Sequence, residues 1–180
     1  DLDGDEPLWR IPAARMKGDS HRKAEENGDH LVPLARQSVE LLAALRALSG
    51  RIDLLFPSER HMHRPISENT IRSLLIRAGY YQRHVPHGFR ATFSTIMNER
   101  PDRADGDRAV IDLMLAHVPK DKVEGAYNRA AYMPRRRALA QEWADMLLAD
   151  MPDPVEFLGQ PIRWGDTTPK GPRKRLDAAR

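Results

Sequence analysis

Two stretches decide the fold of this chain: HGFRATFSTIM at positions 87–97 and DRAVIDLMLAH at positions 107–117. In each of them apolar residues recur every three or four positions, which predicts a helix with one apolar face. Pro86 and Asp107 are suited to the places where these two helices begin. Phe89, in the first turn of the earlier helix, is expected to point toward the core.

Further helices are predicted on both sides of this pair. Apolar residues recur at helical spacing over 37–50 and over 67–79, and each of these predicted helices ends at a glycine. Ser67 is expected to cap the beginning of the second one. A short helix is predicted at 123–129, and a longer one at 134–149 with its proline at the tolerated first position. The residues of this last helix that are expected in the core are Trp143 and Leu147.

The beginning of the chain has a different pattern. Two short apolar runs, at 8–12 and 30–34, flank a polar segment that contains glycine, which predicts an antiparallel hairpin with Lys17 near its turn. The fold is therefore expected to be mainly α with a small antiparallel β-sheet (α+β). We expect one domain over residues 1–150 and a flexible basic tail over 151–180, where prolines and charges show no periodicity.

The composition is that of a folded intracellular protein. Hydrophobic residues make up 41% of the 180 residues, and there is no cysteine, which excludes disulfides and thiolate metal sites. No apolar run approaches the roughly 20 residues of a membrane span, so a cytoplasmic protein is expected. Residues 163–180 hold six basic and two acidic side chains, which is a net charge of +4. Because the whole chain has a net charge of +3, the remaining residues sum to −1. Bulk charge therefore does not predict a nucleic-acid-binding fold.

Three motifs carry candidate chemistry. His87 and Arg90 stand three residues apart at a helix start, so they project from one face and together suit a phosphate. His117 ends the next apolar-faced helix, where a lone histidine is usually a partner of the helix dipole. Tyr127 follows ten residues later, and an isolated tyrosine is usually a packed side chain. The order of the motifs is more informative than any one of them.

In this order the motifs resemble the tyrosine recombinase (phage integrase) family, in its branch of prophage and genomic-island integrases. The matching segments are Lys17, HGFRAT at 87–92, LAH at 115–117 and AYNR at 126–129. The matching flanks are VPL at 32–34, LFPS at 55–58, PISENT at 65–70 and WAD at 143–145. The resemblance extends from about Trp9 to Leu148.

The resemblance implies a site-specific recombinase that cuts and rejoins DNA through a 3′-phosphotyrosyl intermediate. Tyr127 is then the nucleophile, Arg90 holds the phosphate oxygens, and His87 assists removal of the phenolic proton. Lys17 protonates the leaving 5′-oxygen and His117 donates to the phosphate. No cofactor or metal is implied. The implied partners are double-stranded DNA attachment sites, a homotetramer on two duplexes, and an excision or architectural protein, in a bacterial cytoplasm and associated with the nucleoid.

One family feature has no match in the sequence. The family carries a further catalytic arginine in a box upstream of the hairpin, and neither Arg10, Arg15 nor Arg22 has that context. We expect a catalytic domain truncated at its amino terminus and nearly inactive alone, because one phosphate clamp contributes several kcal/mol, on the order of 3, to transition-state stabilisation. Tyr132 is the alternative nucleophile to Tyr127.

Two other functions compete with recombination. His61 and His63, with His84 and His87 nearby in the sequence, offer imidazoles for a metal hydrolase, although the segment around His61 reads as a solvated loop. An inactive remnant that binds duplex DNA through arginines is the other alternative. The run at 135–137 is interpreted as a solvated helix start.

Overall fold

The structure is a computed structural model that describes residues 4–16, 28–50, 52–58, 60–117 and 132–158. The predicted helix at 123–129, Lys17 and Tyr127 lie outside the described residues. Among the described residues, none of the helices combines the length and the apolar character that crossing a membrane requires.

A two-stranded antiparallel sheet opens the fold, as the sequence predicts. Strand β1 (Leu8–Ile11) pairs with strand β2 (His30–Pro33), and the register places Ile11 opposite His30. Asp29 holds the end of the hairpin: its carboxylate accepts the backbone N–H of Ala13 at 2.8 Å and pairs with the Arg10 guanidinium. These two interactions lower the pKa of Asp29.

The rest of the described chain is mainly helical. The helices are α1 (Arg36–Ser49), α2 (Thr70–Leu75), α3 (Gly88–Glu99), α4 (Asp107–Met114) and α5 (Met133–Leu148), with a π-helical turn (Ile76–Tyr80) after α2 and short 3-10 helices (Ala13–Arg15 and Pro154–Leu158). Gly50 ends α1 at a φ of +66°, as its position after the periodic run predicts. The predicted class, mainly α with a small antiparallel sheet, is confirmed.

The core lies where α3, α4 and α5 meet. Its buried members are Phe93, Met97, Val110, Ile111, Leu115 and Leu139. The Trp143 ring closes one side, edge-on to Phe93 with ring centroids 5.2 Å apart. The apolar spacing of all three helices predicts this core, because each helix contributes one stripe to it.

Three expectations about particular residues are wrong. Phe89 is 52% exposed and packs on the ring of His84, 4.5 Å between centroids, because the first turn of α3 projects past the core. Leu147, in the last turn of α5, is 54% exposed. The second predicted helix begins at Thr70, and the hydroxyl of Ser67 instead accepts the N–H of Asn69 at 3.2 Å.

The arginine run at the start of α5 is not a uniformly solvated surface. Arg135 donates two hydrogen bonds to the buried carboxylate of Asp107, at 2.7 and 2.5 Å. Arg136 is itself buried and donates to the backbone carbonyl of Leu31 in β2. Arg137 pairs with Glu6 at 2.9 Å. Successive helical residues point about 100° apart, so the three side chains reach three different parts of the fold.

The ion pair between Asp107 and Arg135 should make the stability of the fold depend on acid pH. Hydrogen bonds from Arg135 lower the pKa of Asp107 from 3.8 to about 2, against the opposing effect of burial. Because the folded pKa is the lower one, the contribution is complete above about pH 4 and is lost as the pH falls toward 2. Asp107→Asn should cost about 2 kcal/mol at pH 7 and flatten this acid dependence, measured by urea unfolding. Asp105→Asn, at an exposed neighbour, is the control, and equal losses from both variants would contradict the prediction.

Candidate functional site

The end of α4 forms the centre of the site. The chain leaves the helix through a turn in which the N–H of Ala116 donates to the carbonyl of Leu113 at 2.9 Å and the N–H of His117 donates to that of Asp112 at 3.0 Å. Ala116 has a φ of +54°, in the left-handed region. This pair of bonds is the Schellman arrangement, which fixes the direction in which the next residue, His117, leaves the helix.

Arg90 comes to this turn from the first turn of α3. Its Nη2 donates to the backbone carbonyl of Leu115, two residues before His117. Both Arg90 and His117 are exposed, so the cation and the imidazole face solvent on the same part of the surface. The structure therefore brings together two residues that the sequence separates by 26 intervening positions.

The ring of His84 lies close over Gly88 at the start of α3. A Cβ atom on Gly88 would lie 2.9 Å from Cε1 of the His84 ring. Glycine is thus required for the ring to lie over this turn. His87 directly precedes the helix, is exposed, and stands one turn before Arg90 on the same face.

Asp112 orients the ring of His117 and was not singled out from the sequence. Its Oδ1 lies 3.1 Å from Nδ1 of His117. An ionised carboxylate can only accept, so Nδ1 carries the proton and Nε2 is the nitrogen that faces outward to a ligand. The spacing of five residues gave no signal, because the turn after α4 is needed to bring these side chains together.

His30 is a second residue that the sequence did not single out. It is half-buried in β2 and lies near Arg136 and Arg90. Burial, followed by the charge of Arg136, lowers the pKa of His30, and the Met114 carbonyl opposes that shift. His30 is therefore neutral at neutral pH.

The remaining predicted residues are distributed as follows. Lys17 and Tyr127 lie outside the described residues, so their roles stay predictions. Tyr132 is exposed and directly precedes α5 at a φ of +75°. His61 and His63 are exposed in a turn, and the described part of the chain contains no group of three or more histidine or acidic residues arranged to hold a metal.

A groove between α1, the end of α5 and the final 3-10 helix contains none of the predicted site residues. Its lining combines polar residues such as Arg36, Gln37 and Asp145 with apolar ones such as Leu41 and Leu148. Gln37 and Gln141 both donate to the carboxylate of Asp145. The polar side of the groove is thus held by hydrogen bonds between α1 and α5.

The known proteins to which this chain is similar are phage and prophage integrases. The profile of the phage integrase family matches residues 1–133. Prophage integrase IntA of Escherichia coli (strain K12) is 38% identical over 149 residues, 83% of this chain and 33% of the relative. Prophage integrase IntZ of the same strain is 44% identical over 130 residues, 71% of this chain and 31% of the relative. The integrase of Shigella phage Sf6 is 36% identical over 147 residues, 81% of this chain and 35% of the relative.

The chain spans about a third of the length of these curated relatives. No solved structure matches it significantly.

The left-handed conformation of Ala116 gives a stability prediction for the turn. Alanine at positive φ costs about 1–2 kcal/mol, and glycine removes that cost while losing up to about 1 kcal/mol of unfolded-state entropy. Ala116→Gly should therefore stabilise the chain by about 0.5–1 kcal/mol in urea unfolding. Ala109→Gly, inside α4, is the matched control and should destabilise it by about 1 kcal/mol. A loss of stability in both variants would show that the strain is absent.

Proposed function

This chain belongs to the phage integrase family, and from that premise we propose that it cuts and rejoins DNA as part of a site-specific recombinase. The observation that carries the proposal is the meeting of Arg90 and His117 at the end of α4. A planar guanidinium and an outward-facing imidazole nitrogen can bind two oxygens of one phosphodiester.

The proposed reaction is attack by the phenolic oxygen of Tyr127 on a DNA phosphorus. A 3′-phosphotyrosyl bond forms while the bond from phosphorus to the 5′-oxygen breaks, and the phenolic proton is removed as a proton is delivered to the 5′-oxygen. A 5′-hydroxyl from another strand then attacks the phosphotyrosyl bond, releases Tyr127 and joins the strands. The covalent link conserves the bond energy, so the proposal includes no cofactor.

Each further residue has a role that fits its chemistry. His87 accepts the proton of Tyr127, since the pKa of free tyrosine, about 10, is too high for spontaneous ionisation at neutral pH. Lys17 delivers the proton to the leaving 5′-oxygen. Arg90 and His117 stabilise the charge that builds on the non-bridging oxygens, with Asp112 keeping the His117 ring in the required tautomer.

The proposed partners follow from strand exchange. Two duplexes exchange four strands, so four copies of the nucleophile are needed, which a homotetramer on DNA supplies. An excision or architectural protein is proposed as a further partner, and association with the bacterial nucleoid follows from the DNA substrate. The domain boundary at residue 150 and the basic tail at 151–180 stay predictions.

The test is the formation of a covalent adduct between the protein and DNA. The 180-residue chain, and the same chain joined to the upstream portion of prophage integrase IntA, are incubated with a pool of nicked random-sequence duplexes and separated on a denaturing gel. The joined chain should form an adduct, and Tyr127→Phe should abolish it because the attacking oxygen is removed. Tyr132→Phe is the matched control and should leave it intact.

The outcomes separate the alternatives. Loss of the adduct in Tyr132→Phe instead of Tyr127→Phe would reassign the nucleophile. DNA retention on a native gel without any adduct would identify a DNA-binding protein that is not a recombinase. Equal adduct from the 180-residue chain alone would contradict the expectation that a further upstream arginine is required.

Arg90 should affect the chemical step strongly. Arg90→Ala is expected to lower the rate of adduct formation by about 10²- to 10³-fold, because a preorganised donor to the transition-state charge is lost. Arg108→Ala, at an exposed arginine of α4, is the matched control and should react within about twofold of the unaltered chain. A similar rate from both variants would remove Arg90 from the site.

A further inference from the structure

The beginning of α3 carries two of the residues that the proposed function uses. His87 directly precedes the helix, and Arg90 lies one turn further on the same face. Within the described part of the chain, the side chain of His87 makes no capping hydrogen bond to the helix that it precedes. A helix start without a side-chain cap is prone to fraying. Another contact must therefore fix the direction in which this turn presents its two side chains.

The ring of His84 packs against two residues of this turn. A Cβ atom on Gly88 would lie 2.9 Å from Cε1, 3.3 Å from Nδ1 and 3.4 Å from Nε2 of the ring. The ring also meets that of Phe89 edge-on, with centroids 4.5 Å apart and planes inclined by 64°. The three atoms nearest to a side chain at position 88 would thus all belong to one imidazole.

Backbone hydrogen bonds hold His84 in this place. The carbonyl of Tyr80 accepts the N–H groups of Arg83 and His84, at 3.0 and 3.1 Å, which ties His84 to the π-helical turn after α2. On the other side, the N–H of Gly88 donates to the carbonyl of Val85 at 2.8 Å. The ring is therefore placed against α3 by a loop that is hydrogen-bonded at both ends.

The contact uses the shape of the ring. Nε2 of His84 is shielded from solvent and has no hydrogen-bond partner among the described residues. A polar nitrogen buried in this way lowers the stability of a fold. Gly88 lies in the helix and outside the left-handed region, so its backbone conformation suits any residue. The His84 ring is what leaves no room for a side chain at this position.

We propose that His84 is a positioning residue, whose ring packs on Gly88 and orients the first turn of α3 so that His87 and Arg90 reach the same phosphate. The inference rests on the proposed function, and it adds a residue that acts through the helix start without contacting the reacting atoms. A misplacement of about 1 Å can slow a reaction by about 10²-fold. Loss of the ring should therefore slow the chemical step more than it weakens DNA binding.

The experiment is a double-mutant cycle between positions 84 and 88 in the joined chain. His84→Ala removes the ring, and Gly88→Ala adds the methyl group that overlaps it. The double variant has the methyl group without the ring. Val85→Ala, at an exposed neighbour in the same loop, is the matched control, because it shortens a side chain and leaves the ring in place.

The rate of adduct formation at saturating DNA and the affinity on a native gel are measured with a nicked duplex recovered from the random-sequence pool. His84→Ala and Gly88→Ala should each lower the rate by about tenfold to hundredfold and the affinity by less than about threefold. The double variant should react no more slowly than His84→Ala, because its methyl group meets no ring. Val85→Ala should react within about twofold of the unaltered chain.

Urea unfolding of the same variants shows whether each one is folded under the assay conditions. The contact predicts that Gly88→Ala destabilises the chain that contains His84 and does not destabilise the chain that carries His84→Ala, since alanine is favoured over glycine in a helix. If His84→Ala is too unstable to assay, His84→Asn takes its place in the cycle, because its planar amide reaches less far than the imidazole.

The results distinguish this inference from the proposed function. An unchanged rate in His84→Ala would overturn the positioning role, as would equal losses of rate and affinity, an additive loss in the double variant, or an equal loss of rate in Val85→Ala. An adduct that persists in Tyr127→Phe would instead overturn the proposed function. In that case the unfolding measurements would still decide whether the His84 ring excludes a side chain at position 88.

Discussion

The end of α4 has to satisfy its unpaired carbonyls, and the site depends on how it does so. A helix terminus that is packed against other elements cannot leave these groups without partners, because each one costs about 1–3 kcal/mol when buried unpaired. Here the backbone turn pairs two of them, and the Arg90 side chain from α3 pairs that of Leu115. The same bonds that complete the helix therefore bring Arg90 beside His117.

The small sheet is attached to the helical part of the fold by a polar contact. Strand β2 contributes no residue to the hydrophobic cluster of α3, α4 and α5. The buried guanidinium of Arg136 in α5 donates to the carbonyl of Leu31 in β2. A charged side chain thus fastens the sheet to a helix that contributes Leu139 to the core.

The sequence predicted the elements well and the contacts between them poorly. Apolar spacing with glycine and proline at the ends located the hairpin and α1, α3, α4 and α5, since these signals are local. The motif order also named Arg90 and His117, which the structure brings to one turn. It could not reveal Asp112, because the contact of its side chain with His117 depends on the left-handed conformation of Ala116. The burial of Arg136 was missed because a run of three arginines is usually a solvated surface. On a helix, however, the three side chains point in different directions, and that of Arg136 points into the fold.

The ion pair between Asp107 and Arg135 joins the two described parts of the chain that border residues 118–131. Helix α4 anchors both of these parts: His117 leaves its last turn, and Asp107 in its first turn holds the beginning of α5. One of the two attachments is thus an ion pair, which weakens as the pH falls toward 2.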